Sequence, residues 1–383
     1  MSDATIQTVG ILGGGQLGAY LCQAARKLGL RTRVLATSNP ASVDDDADFV
    51  HVGRLDDEAD TLRVARGSDV VTYEIESIGP ACLTALADAR LVVRPAPSIL
   101  AVLQDKVVQR RYYAEHGFPS PAWLSREVVT RADFDAIAAA LGVPFVQKAA
   151  TGGYDGKGVQ VVSTAADLRT DFSASLFEQM VDIKTELGLL VARSNNGQMV
   201  SYPPVEMRFW GDNLLDLAVC PSIIDAAVAA KAVALGEAIV RSFQGVGLFC
   251  IEVFVDRQDD IIINELAARV HNSGHLTLEA FDVSQFEQHL RAVCGLPLRE
   301  PVLKQPAAMK NLLSRMLPGT PHSFGRQAEL SSDDCHVHWY MKPEARPLRK
   351  MGHVTATGAT LAAAAATVEA RTAALGFQLE GEQ

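Results

Sequence analysis

Two acidic side chains stand where acids are costly. Residues 248–255 (LFCIEVFV) are apolar apart from Glu252, and residues 261–266 (IIINEL) are apolar apart from Asn264 and Glu265. The polar stretch 256–260 between them reads as a turn, so the two runs read as an antiparallel hairpin. A carboxylate buried without a partner carries a large desolvation cost, and neither run contains a basic residue. A hard divalent cation answers that need. Magnesium takes oxygen ligands and is commonly held by one or two carboxylates together with nucleotide phosphates. Glu252 and Glu265 are therefore the candidate metal ligands. The plainer reading, two acids on the wet face of a hairpin, conflicts with the apolar neighbours on both sides.

Phosphate-handling groups should accompany such a cation. Residues 143–148 (VPFVQK) read as a strand ending in Lys148, and residues 159–162 (VQVV) as the returning strand. The loop between them holds Gly152, Gly153, Gly156 and Gly158, with Lys148 and Lys157 on its two arms. Backbone amides approach oxygen closely where no side chain intervenes, so this loop reads as a flap over phosphates. It is not a Walker A loop, since the G-x-x-x-x-G-K-[ST] order is absent and the loop joins strand to strand. Gln104-Asp105-Lys106 opens a helix that runs to about His116. Glu178, beside the backbone leading to Val181, could accept from an adenine amino group, and Glu186 from ribose hydroxyls. Arg269, His271, Asn272 and His275 follow the second acidic strand within seven residues and could cradle a small anion. His271 and His275 have helical ligand spacing, but Gly274 and the lack of a third ligand argue against zinc. Ser284 and Glu287 read as a capping box for a helix to about Cys294.

The elements that must position these groups begin with a strand, glycine turn, helix, strand unit. Residues 8–12 are apolar, GGGQLG fills 13–18, and Leu17, Tyr20, Leu21, Ala24, Ala25 and Leu28 recur at helical spacing. Further strands are expected at 69–73 and 91–93, giving a parallel, helix-flanked sheet over about 5–103. The glycines match a dinucleotide fingerprint by letter, but the second strand ends without the acid that would hold a ribose. The turn and helix N-terminus then read as a site for some other phosphate or polar substrate. Glu74 and Glu76 alternate beyond the third strand, on one face, as candidates for a substrate hydroxyl or amine, although from these two residues alone a solvated strand end is the better reading. Near the end, residues 336–353 carry Lys342, Arg346, Arg349 and Lys350 close together, a patch that suits a phosphomonoester, although solvated surface charge is the commoner meaning of such a cluster.

The chain has 383 residues, 48% hydrophobic and 21% charged, which suits two or three folded domains. Thirty-five basic against 45 acidic residues leave a net charge of −10, a poor starting point for nucleic-acid binding. Anionic ligands must be held by local clusters of Lys and Arg. No leader or membrane-spanning run is read, and the six scattered cysteines suit a reduced, cytoplasmic setting.

GGGQLG, QDK, TGGYDGKG, the Glu252 and Asn264-Glu265 pair, RVHNSGH and RKMGH occur in this order over roughly residues 8–355. Together they resemble the N5-carboxyaminoimidazole ribonucleotide synthetase family of ATP-grasp ligases. The carboxylate pair and flap are general to such ligases, whereas TGGYDGKG, HNSGH and RKMGH are specific to this family. The resemblance implies an ATP-grasp fold of mixed α/β and α+β class. It has a Rossmann-like pre-ATP-grasp domain over 1–103 and a central subdomain with the flap over 104–192. The C-terminal domain over 193–383 carries the metal carboxylates and a small terminal subdomain. The implied reaction is carboxylation of 5-aminoimidazole ribonucleotide with ATP and bicarbonate, through carboxyphosphate, in purine biosynthesis.

On matching positions, Lys106 and Lys148 would contact phosphates under the flap glycines Gly153 and Gly156. Glu178 and the Val181 backbone would contact adenine, and Glu186 the ribose. Glu252 and Glu265, with Asn264 beside them, would hold magnesium, with manganese as the alternative. Arg269 and His271 would face bicarbonate, in a loop shared with Asn272. Glu76, Tyr154, Asp155 and Lys157 would meet the aminoimidazole ribonucleotide, with Gln16 reaching it from the glycine turn. Lys342, Arg349 and Lys350 would take its 5′-phosphate. The family further implies a homodimer and coupling to a downstream mutase, with no nucleic-acid or membrane partner.

Three departures stand out. Glu206-Met207-Arg208-Phe209 replaces the usual Glu-Asn-x-His, Ala268 replaces a proline, and Ala19-Tyr20 stands where Arg-Met is commoner. The rival readings are an ATP-grasp ligase using a different acid (a formate- or biotin-dependent relative), a nicotinamide oxidoreductase built on residues 13–18, and a nucleotide-binding paralogue without turnover.

Overall fold

The computed structural model describes residues 6–38, 42–153, 158–211, 213–314, 331–342 and 346–376. The short apolar runs and helical periodicity of the first hundred residues become β1 (Thr8–Leu12), α1 (Gln16–Lys27), β2 (Arg31–Ala36), β3 (Phe49–Val52), α2 (Glu58–Ala65), β4 (Val70–Tyr73) and α3 (Pro80–Asp88). Their strands form a parallel sheet in the order β3-β2-β1-β4. β1 is buried along its whole length, as expected for a parallel strand packed on both faces. The strand expected at 91–93 shrinks to a single bridge between Val93 and Val71. The run is short and Pro95, which has no N–H to extend a ladder, follows closely.

α4 (Pro97–Leu103) and α5 (Lys106–Glu115) lead out of this unit. Asp105 caps α5, its carboxylate accepting from the Val107 and Val108 N–H groups at 2.8 and 3.1 Å. Lys106 thereby sits at the first helical position. The second sheet contains β5 (Trp123–Arg126), β6 (Phe145–Ala149), β7 (Val159–Val162) and β8 (Ser175–Gln179), with α6 (Phe134–Leu141) against it. Its order is β5-β8-β6-β7, all antiparallel. The glycine flap is the β6–β7 connection, of which residues 154–157 lie outside the described set.

The third sheet is the largest. It comprises β9 (Ile183–Arg193), β10 (Met199–Ser201), β11 (Val205–Trp210), β12 (Leu214–Cys220), β13 (Gly247–Asp256), β14 (Ile261–Ala267), β15 (Ala307–Leu313), β16 (Cys335–Trp339) and β17 (Lys350–Thr357). The order is β14-β13-β9-β11-β12-β15-β17-β16, with β10 on β9. The chain passes from the second sheet to the third between Gln179 and Ile183, so β9 pairs with β13 and β11 and not with the flap strands. Helices α7 (Ala226–Phe243), α8 (Thr277–Ala280), α9 (Gln285–Cys294) and α10 (Leu361–Ala374) complete the unit. Ser284 caps α9, accepting from the Glu287 N–H at 3.2 Å.

α9 packs on both α1 and β13, joining the first unit to the large sheet. His289 is fully buried at that joint. Its Nδ1 accepts from the Leu248 N–H at 3.0 Å, which leaves the ring proton on Nε2, 2.7 Å from Thr72 Oγ1. Burial lowers its pKa from the ordinary 6.5 to about 3, so the ring is neutral. A group with a depressed folded-state pKa contributes stability above its unfolded value and loses it as pH falls towards the folded one. His289→Phe strands a buried amide and a buried hydroxyl, and should cost about 2–4 kcal/mol in urea unfolding at pH 7. The variant should also lose part of the wild-type decline in stability between pH 6.5 and 3. An unchanged unfolding midpoint would contradict this role.

Candidate active site

Glu252 on β13 and Glu265 on β14 are direct register partners, with a bulge just after Glu252. Like charges placed opposite each other on a sheet repel. Their side chains are 19% and 47% accessible, so they open onto a cleft and are not sealed in the core. The sequence shows no base within either strand, but the fold supplies one from elsewhere: Lys106 Nζ lies 2.6 Å from Glu265 Oε1. Burial alone would raise the Glu265 carboxyl, and Lys106 outweighs it, holding the pKa below the ordinary range. At Glu252, burial, then the charges of Glu265 and Glu186, push the carboxyl up to about 8; the positive charges of Lys350 and Arg269 pull it down but do not win. His271 Nε2 lies 3.3 Å from its Oε1.

Around the pair sits a cluster of cations. Lys148 Nζ lies 2.7 Å from Glu178 Oε2 and donates to Asn264 Oδ1 at 2.9 Å. Arg110 bonds the other oxygen of Glu178, and its Nη2 donates to the Asn264 carbonyl at 2.6 Å. Burial would raise Glu178, yet Lys148 and Arg110 hold it at about 2. This corrects the expectation that the Glu178 carboxylate meets adenine: it is 2% accessible and fully engaged by the two cations. Val181 lies in residues 180–182, the connection between the second and third sheets. Glu186 on β9 is half-buried, and burial raises it to about 7 against the pull of Lys148. Arg110 was missed from the sequence. Its signal was the spacing, one helical turn after Lys106 and on the same face of α5.

Among the described residues no three His, Cys, Asp or Glu side chains form a metal site by themselves. The donors nevertheless fit a divalent cation. Two hard oxygen ligands face each other on one hairpin, one of them short of positive charge, beside lysines that suit phosphates able to complete the shell.

β14 leads directly into the small-anion segment. Arg269 Nη2 donates to Glu76 Oε2 at 2.7 Å, and Nη1 to the Val270 carbonyl at 3.0 Å. Glu76 and Arg269 therefore meet across the boundary between the first unit and the large sheet. His271 caps the short 3-10 turn Asn272–Gly274 with its own ring. Asn272, expected near substrate, is nearly buried and held within the fold. Its amide makes a reciprocal pair with that of Asn311, at 2.7 and 3.1 Å, and is 8% accessible. His275 is buried among rings, stacked on those of His353 and Phe286 and edge-on to Tyr20.

The glycine turn and the basic patch converge on a cavity of about 190 Å³ lined by Gly13, Gly14, Gly15, Ser38, Lys342 and Arg349, among others. Glu74 occupies the place a dinucleotide phosphate would need: its carboxylate accepts from the Gly15 N–H at 2.9 Å. A Cβ on Gly13, which has φ +112°, would lie 2.4 Å from Glu74, so glycine is required there. Glu74 is thus part of the turn, whereas Glu76 faces Arg269. Gln16 opens α1 beside the cavity without lining it. The charge of Lys350 is felt at Glu252, while its carbonyl accepts from Lys342 Nζ at 2.7 Å. Tyr154, Asp155, Gly156 and Lys157 lie outside the described residues. Of the departures, Met207 is 3% accessible, directly across from Glu186, and Phe209 packs against the main core. The polar family residues are thus replaced by apolar packing on β11.

Three family models match the chain. They are a ribonucleotide synthetase preATP-grasp domain over residues 6–104, an ATP-grasp domain over 111–286, and a phosphoribosylaminoimidazole carboxylase C-terminal domain over 307–367. The N5-carboxyaminoimidazole ribonucleotide synthase of Synechococcus elongatus is 34% identical over 356 residues, spanning 91% of this chain and 89% of that protein. The crystal structure of the Thermotoga maritima synthetase superposes with a TM-score of 0.85 at 34% identity, covering 96% of this chain and 98% of that one. The Aspergillus clavatus synthase, solved with ADP and 5-aminoimidazole ribonucleotide, gives 0.87 at 30% identity, covering 97% and 99%. This chain belongs to the N5-carboxyaminoimidazole ribonucleotide synthase family of ATP-grasp ligases.

Proposed function

We propose that the protein couples ATP cleavage to carboxylation of 5-aminoimidazole ribonucleotide, an ATP-dependent carbon–nitrogen ligation in purine biosynthesis. The observation that carries this reading is the presence of two anion-binding regions, whose neighbouring residues Glu76 and Arg269 are joined by an ion pair. The lysine and carboxylate cluster suits the phosphates of ATP. The cavity with Lys342 and Arg349 suits a single phosphomonoester. Family membership supports the pairing of these ligands.

The chemistry follows from the weakness of bicarbonate as an electrophile. A bicarbonate oxygen attacks the γ-phosphorus, the bond to the ADP oxygen breaks, and carboxyphosphate forms. The ribonucleotide amine then attacks the carboxyl carbon, phosphate leaves, and the amine proton is lost to give the carbamate. Phosphoryl transfer is chiefly a matter of positioning and charge neutralisation. Lys106 and Lys148 hold the nucleotide's charge, and Arg269 and His271 orient the bicarbonate. Tyr154, Asp155 and Lys157, with Glu76, meet the ribonucleotide, as the family resemblance implies. Glu252 and Glu265, with Asn264 beside them, would hold magnesium or manganese. Bound there, the cation would supply charge neutralisation for the phosphoryl group being transferred. The same family membership supports a cytoplasmic homodimer that passes its product to a mutase. No helix among the described residues is long and apolar enough to cross a membrane.

ADP release should require bicarbonate and the ribonucleotide together. Formate serving in place of bicarbonate would favour a different ligase, and ATP turnover indifferent to the ribonucleotide would contradict the reading. Glu265→Gln should lower turnover about 100-fold or more while leaving the melting temperature within a few degrees; near-normal activity would remove the metal assignment. Lys342→Ala and Arg349→Ala should each raise the KM for the ribonucleotide about 10–100-fold, the scale of a hydrogen bond to a charged group. The KM for ATP should stay unchanged, and an equal rise in both constants would argue against a separate phosphate site.

A further inference from the structure

His271 is held by an unusual partner. Gln285 lies on the first turn of α9, fully buried. Its Oε1 accepts from the His271 N–H at 2.9 Å, and its Nε2 donates to the His271 carbonyl at 2.6 Å. One side-chain amide thus pairs both polar groups of a single residue's backbone, as a neighbouring strand would. Gln285 is itself fixed: its N–H donates to Thr277 Oγ1 at 2.9 Å, and that hydroxyl donates to the Gly274 carbonyl at 2.6 Å. A Cβ on Gly274 would fall 2.4 Å from Gln285 Oε1, so the glycine clears the amide's path.

The ring of His271 is locked as well. Nδ1 lies 3.0 Å from Ser273 Oγ and accepts from the Ser273 N–H, which leaves the proton on Nε2, facing Glu252. The backbone clamp and the ring clamp leave His271 one position. On the other side of the loop, Arg269 is fixed by Glu76. The two groups read as facing bicarbonate therefore stand on a segment whose shape is set from α9.

We propose that Gln285 is a positioning residue for the carboxylation: by clamping the backbone of His271 it sets where the imidazole meets the bicarbonate-derived group, and its loss lets ATP be spent without carboxylation. This rests on the reading that His271 faces bicarbonate. A shift of about 1 Å in a positioned group can cost about 100-fold in rate. A misplaced imidazole leaves carboxyphosphate to water, which returns bicarbonate and phosphate with no carbamate formed.

The test measures ADP release and ribonucleotide consumption in parallel, in the full chain, for Gln285→Met, Gln285→Glu and His271→Ala. Met fills the space and makes neither bond. Glu keeps the acceptor for the N–H and, when ionised, loses the donor to the carbonyl. In Gln285→Met the kcat for carboxylation should fall about 10–100-fold with the ribonucleotide KM within twofold. The ADP formed per ribonucleotide consumed should rise from one to several. Gln285→Glu should uncouple less, and it decides the matter if the Met variant does not fold. A ratio that stays at one in the folded Gln285 variants, while His271→Ala uncouples, overturns the clamp alone. Full, coupled turnover in His271→Ala would overturn the bicarbonate reading and the clamp with it.

Discussion

Two carboxylates forced into register on neighbouring strands are the constraint from which the rest of the site follows. Glu252 and Glu265 cannot both carry charge at close range in a low-dielectric cleft without a counter-charge. The chain answers in two ways. Lys106 neutralises Glu265 directly, and Glu252 keeps its proton up to about pH 8 when only protein surrounds it. A cation with attached phosphates would replace both arrangements at once, which is the electrostatic logic of a site built to take nucleotide and metal together.

The same constraint explains why the ligands come from separate sheets. Lys106 stands at the start of α5, Lys148 on β6 beside the flap, and the acids on β13 and β14. Glu76 reaches from beyond β4 to Arg269, Thr72 reaches His289, and Ser42 donates to the Tyr340 carbonyl at 2.8 Å. These contacts bring the basic end of the chain against the glycine turn. Each ligand region draws its residues from more than one unit, so each site depends on how the units pack.

Much of this was legible in the sequence where chemistry and periodicity coincide. The acidic hairpin is plain because charged residues interrupt apolar strands, and the flap because glycines crowd between two strands with lysines on the arms. The patch at Lys342 and Arg349 is plain because it is basic in an acidic chain. What could not be read was pairing across units. Lys106 as the base for Glu265, the burial of Glu178 between Lys148 and Arg110, and the amide pair of Asn272 with Asn311 all join residues far apart in sequence. The role of Glu74 was hidden for another reason: an acid after a strand looks the same whether it meets a ligand or fills the helix N-terminus itself. Gln285 carried no signal beyond its place after a capping serine.

The central claim is that Glu252 and Glu265 grip one divalent cation together with the nucleotide. Anomalous scattering from crystals grown with manganese and a nonhydrolysable ATP analogue tests it most directly. The account requires a single strong peak within coordination distance of both carboxylates, about 2.0–2.2 Å for an octahedral hard cation, and its loss in Glu265→Gln. Bound nucleotide with no peak there, or with both carboxylates turned to solvent, would contradict it.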